Sequence, residues 1–117
     1  MNLKGILAMA VCLAVAGVAV AEDGMGHSRP RSVTAVCALN SADVSWESMS
    51  EPNLTGYNVY RKVTGEPSYT KANAQLVTAT EFTVQGLLAA VTYDFAVTAV
   101  YYDGESDYSQ PATCTTG

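Results

Sequence analysis

At 117 residues, 49% apolar and 15% charged, the chain holds one domain at most and is too apolar for intrinsic disorder. Eleven acids against six bases, a net charge of −5, argue against nucleic acid, whose binding draws on Lys and Arg to release phosphate counterions. The length excludes a typical nucleotide-binding enzyme, and nine glycines with four prolines exclude a collagenous chain or a low-complexity linker.

Met1 to Gly5 carries one positive charge, Lys4, and Ile6 to Val20 then runs without charge to Ala19-Val20-Ala21, just before Glu22-Asp23. This is the order of a secretory signal peptide over residues 1–21, with cleavage after Ala21. A transmembrane anchor is the competing reading, but the apolar run falls short of the ~20 residues that span a bilayer. Cleavage takes Lys4 and Cys12 with it, leaving 96 residues with a net charge of −6, and Cys37 and Cys114 as the remaining cysteines. In an exported small domain that pair reads as one disulfide. Residues 22–31 (EDGMGHSRPR) are polar and aperiodic and read as a flexible leader to a domain over residues 32–116.

Short runs of β-branched and aromatic residues follow, separated by turn residues. Ser32 to Leu39 is the first predicted strand and Asp43 to Glu47 the second, with Val44 and Trp46 on one face. Glu51-Pro52-Asn53 marks a loop within Ser48 to Leu54, and Gly56 to Val63 is the third strand. Ser68 to Leu76 carries a weak helical signal worth one turn at most. Gln75 to Ala79 and Glu81 to Gln85 are two further short runs, and Thr92 to Tyr102 is the longest strand. Asp103-Gly104 signals a tight hairpin with positive φ at both central positions, after which Tyr108 to Thr113 returns as the last strand. The fold class that follows is all-β: an immunoglobulin-like sandwich of about seven antiparallel strands.

From Pro30 to Thr115 the chain resembles a fibronectin type III domain. The resemblance rests on Val44-Ser45-Trp46, Gly56-Tyr57-Asn58-Val59-Tyr60-Arg61, Leu87 six residues before Tyr93, the run Tyr93 to Val100, and Gly104-Glu105-Ser106. Ala89-Ala90 departs from it, standing where the family often has Pro-Gly. Sandwich packing asks for inward residues at alternating positions, which Val44 and Trp46, Tyr57 and Val59, and Tyr93, Phe95, Val97 and Ala99 supply. Trp46, Tyr57, Leu87 and Tyr93 form the core signature, with Tyr93 as the corner tyrosine bonded to backbone near Leu87. The resemblance also places Cys37 and Cys114 on neighbouring edge strands that end at the same pole, so their bridge is structural.

Little chemistry is legible. His27, the one histidine, lies in the leader, so a nucleophile has no positioned base. No metal or cofactor set is formed: two bridged cysteines and one histidine do not make a zinc site, and Asp103, Glu105 and Asp107 read as a solvated hairpin rather than a calcium site. The chain therefore reads as no enzyme. Tyr60 and Tyr102 face outward by parity, with Tyr69 and Tyr108 in the same region. Together they form a candidate binding face, although cross-strand pairing on an exposed sheet is the plainer reading. The function expected is a secreted or cell-envelope interaction module, extracellular or periplasmic, that binds protein partners or serves in a surface assembly. The alternative is a polysaccharide-binding accessory to secreted glycan-degrading enzymes. Neither reading involves nucleic acid or a membrane span after cleavage.

Overall fold

Alternation of apolar and polar residues along each strand lays down both sheets in a computed structural model that describes residues 27–117. The signal peptide and residues 22–26 of the leader lie outside the described residues. One sheet has three strands in the order β1 (Thr34–Cys37), β2 (Ala42–Ser45) and β5 (Glu81–Val84). The other places β4 (Thr70–Lys71), β3 (Leu54–Val63) and β6 (Thr92–Tyr101) in line, with β7 (Gly104–Glu105) and β8 (Ala112–Thr115) both on the far edge of β6. All pairings are antiparallel, so the fold is a two-sheet β-sandwich.

The core lies between the sheets. Ala42, Val44 and Val84 enter from one, and Val59, Phe95, Val97 and Ala99 from the other, all at most 1% exposed. Trp46, just past β2, meets Tyr57 edge-on with ring centroids 5.2 Å apart, which joins the layers at the centre. The outer face of the three-stranded sheet is polar apart from the exposed Val36: Thr34 bonds Ser45 (2.9 Å), and Thr83 donates to the Asp43 carboxylate (2.7 Å). At the C-terminal pole Cys37 of β1 is bonded to Cys114 of β8, so the bridge joins one edge of each sheet, with Cα atoms 5.8 Å apart. Leu87 is buried, and the N–H of Leu88 donates to the Tyr93 hydroxyl (2.9 Å), fixing the loop that enters β6. In that loop Ala90 takes φ 59°, a left-handed conformation that costs a non-glycine residue ~1–2 kcal/mol.

Four local expectations are corrected. No helical turn forms in Ser68 to Leu76. Instead Thr70 and Lys71 pair with Arg61 and Tyr60, and the buried Asn73 side chain accepts from the Val59 N–H (2.8 Å), replacing a partner strand. Gln75 to Ala79 is not a strand but one bridge, Tyr57 to Val77, and the chain passes so close there that a Cβ on Gly56 would lie 2.6 Å from Leu76 Cγ. The hairpin turns on Tyr102 and Asp103, and neither they nor Gly104 have positive φ. The last strand does not run from Tyr108 to Thr113; it is broken into β7 and β8. Between these pieces the hydroxyls of Ser106 and Ser109 accept from the Ala99 and Val97 N–H groups (2.9 Å each), standing in for backbone carbonyls.

The leader is also not loose along its whole length. From His27 onward it packs on the sandwich: Pro30 is buried, Tyr101 donates its hydroxyl proton to the Ser28 carbonyl (2.7 Å), and the Glu47 N–H donates to the Arg31 carbonyl (3.1 Å). The His27 ring stacks on Tyr101, with centroids 4.3 Å apart at 16°.

Candidate interaction surface

The outer face of the five-stranded sheet is where polar chemistry gathers. Register puts Asn58, Tyr60 and Lys62 of β3 opposite Thr98, Ala96 and Asp94 of β6, so these side chains share one face. Glu105 of β7 lies across from Val100 on that face and reaches back over it. Asn58 Nδ2 (3.1 Å), Tyr60 Oη (2.8 Å) and Thr98 Oγ1 all donate to Oε2 of Glu105. Ala96 and Thr98 are buried although they face away from the core, and the Glu105 side chain caps Thr98 through its hydrogen bond.

That segment brings Tyr108 onto Tyr60, with ring centroids 5.0 Å apart at 83°. Tyr69, just before β4, completes a cluster at 4.7 Å from Tyr108 and 6.5 Å from Tyr60. Lys62 Nζ sits 5.0 Å from the centre of the Tyr69 ring, and Arg29 Nη1 donates to the Tyr108 carbonyl (2.9 Å). Between Tyr60, Tyr108, Glu105 and Asp107 lies an open cleft of about 480 Å³, with Arg29 on its wall.

Ionisation follows from these contacts. Burial opposes a charge on Glu105, yet the hydrogen bonds from Thr98, Tyr60 and Asn58, with the Lys71 ammonium, outweigh it and hold the carboxyl below its ordinary range. Burial, then the hydrogen bond to Glu105 and that group's negative charge, push the Tyr60 phenol from 10.0 up to about 12. Burial and the charge of Asp94 also raise Tyr69.

Of the residues expected on a binding face, the structure brings Tyr60 and Tyr108 together and leaves Tyr102 apart. Tyr102 is 85% exposed in the turn beyond β6, beside Asn53, whereas Tyr60 lies level with Ala96 inside the sheet. Asp103, Glu105 and Asp107 do not converge. Asp103 pairs with His27 Nε2 (3.0 Å), Glu105 is clamped on the sheet, and no group of three or more His, Cys, Asp or Glu among the described residues is placed to hold a metal ion. His27 is held rather than loose, and its other nitrogen, Nδ1, is buried without a hydrogen-bond partner. Sequence reasoning missed Glu105 as the organiser of this face. Its only local signal was a carboxylate at the start of the return strand.

A fibronectin type III domain profile matches residues 28–115. The chain belongs to the fibronectin type III family. Three solved structures are similar to it along most of their own length. A Fn3-like protein from Clostridium thermocellum is 26% identical, with 77% of this chain and 93% of that one covered at a TM-score of 0.64. Titin module A71 from human cardiac muscle is 25% identical over 71% of this chain and 85% of that one, with a TM-score of 0.63. A structure described as a myokine shares the fold at 23% identity and a TM-score of 0.66, covering 76% and 96% of the two chains. Fibronectin type III domains are commonly non-catalytic modules in binding or structural roles. No helix among the described residues is long and apolar enough to cross a membrane.

Proposed function

We propose that this chain is a non-catalytic module, exported and either secreted or held in the cell envelope, that binds a protein partner or builds into a surface assembly through the Tyr60–Tyr69–Tyr108 face. The observation that carries the reading is the cluster itself: three tyrosine rings and an oriented carboxylate meet on the outer face of a sheet. Tyrosine offers large contact area at low entropic cost, which suits it to interfaces. Export is supported by the order of residues 1–21 and by a disulfide, which persists in oxidising compartments.

Polysaccharide binding fits less well. Sugar stacking favours ring faces laid open side by side, whereas these rings cross at 83°, 67° and 45°. The test is retention of proteins from the exported fraction of the producing cell on immobilised wild-type, Tyr60→Ala, Tyr108→Ala and Tyr102→Ala chains. The expected result is one defined protein held by wild type and Tyr102→Ala and lost from the other two. Equal retention by all four contradicts the reading.

A further inference from the structure

We propose that the cleft beside Glu105 receives a cationic side chain, an arginine or lysine, from the partner protein. The inference rests on the interaction role just argued for this face and specifies what enters it.

Three observations converge. All hydrogen bonds from the described residues to Glu105 fall on Oε2, so the carboxylate is fixed in direction while Oε1 keeps its acceptor capacity. Tyr60 and Tyr108 meet nearly at right angles, which makes two walls of a corner rather than a platform, and tyrosine faces attract cations within about 6 Å. The chain's own cations already sit at this cluster: Lys62 over the Tyr69 ring, and Arg29 on the Tyr108 carbonyl at the cleft wall. A clamped carboxylate between aromatic walls selects a positive group. The net charge of −6 left after loss of residues 1–21 steers basic partners towards the molecule at long range. A guanidinium meets a carboxylate in a fork geometry, which makes arginine the better fit of the two.

The probe is the blocked peptide acetyl-Gly-Arg-Gly-amide, compared with the same peptide carrying neutral citrulline, each titrated into the exported chain and followed by amide chemical shifts. The expected result is saturable shifts centred on Tyr60, Glu105 and Tyr108, with the arginine peptide at least tenfold tighter than the citrulline one. Glu105→Gln, which keeps the side-chain shape and an oxygen for the three donors, loses that preference while its melting temperature stays within a few degrees. Equal affinity for the two peptides, or shifts centred on Asp43 and Glu81 of the other sheet, overturns the proposal. Capture of a protein partner that depends on Tyr108 but is indifferent to Glu105→Gln also overturns it, while leaving the interaction role intact.

Discussion

Ala90 is the residue where sequence and backbone disagree most openly. Its left-handed φ of 59° occupies the turn in which the fibronectin type III pattern often carries glycine, and its N–H donates to the Thr116 carbonyl (3.1 Å). Ala90→Gly removes that strain at a smaller cost in unfolded-state entropy, so the variant gains ~1 kcal/mol, read as a rise of ~4–8 °C in thermal melting. At Tyr60 and Glu105 the checkable quantity is ionisation. The raised Tyr60 pKa stabilises the fold fully below the ordinary phenol pKa of 10.0, and that contribution is lost as pH rises through about 12. Ultraviolet titration is expected to show Tyr60 ionising near pH 12 and moving to lower pH in Glu105→Gln. The lowered Glu105 pKa has the opposite sense: its contribution is present above the ordinary carboxylate value of 4.5 and is lost as pH falls through the folded one. Acid therefore loosens the same face that alkali loosens, because neutralising Glu105 weakens the hydrogen bond that ionising Tyr60 removes.

At the scale of elements, β6 and the broken last strand mark what the sequence could and could not show. Tyr93, Phe95, Val97 and Ala99 alternate without interruption and all are buried, so period-two reasoning places the central strand and its core face. The same rule fails one strand later. Ser106 and Ser109 act through hydroxyls as ladder acceptors, and no local pattern distinguishes such serines from those of an ordinary strand. The error carries into the site, because it is this broken segment that lays Tyr108 on Tyr60. Parity alone grouped Tyr60 with Tyr102, whereas tertiary folding groups it with Tyr69 and Tyr108. Glu105 stayed hidden for a related reason: its role depends on three donors from two other strands. Ser109→Ala leaves the buried Val97 N–H without its side-chain acceptor and is expected to cost ~1–3 kcal/mol in denaturant unfolding. It also frees Tyr108, so partner binding falls by more than the stability loss explains.

Across the whole molecule the two sheets are held by the core and by one covalent link. The Cys37–Cys114 bridge spans 77 positions, nearly the whole domain, and joins edges that belong to different sheets. In the chain-entropy model a loop of that size contributes ~4–5 kcal/mol, so Cys37→Ala with Cys114→Ala lowers unfolding free energy by that order. Trp46→Ala is expected to cost ~3–5 kcal/mol by opening the layer at its centre. With the frame held this way, the outer face of the five-stranded sheet is free to specialise, and its tyrosine cluster is the claim on which the functional account stands. Photo-crosslinking tests that claim most directly, with a benzoylphenylalanine placed in turn at Tyr108, at Tyr102 and, on the opposite sheet, at Thr34. A single protein adduct is expected from position 108, disappearing when Tyr60→Ala is added, with no adduct from position 34. An adduct of equal yield from position 34, or one formed only from position 102, would contradict the claim.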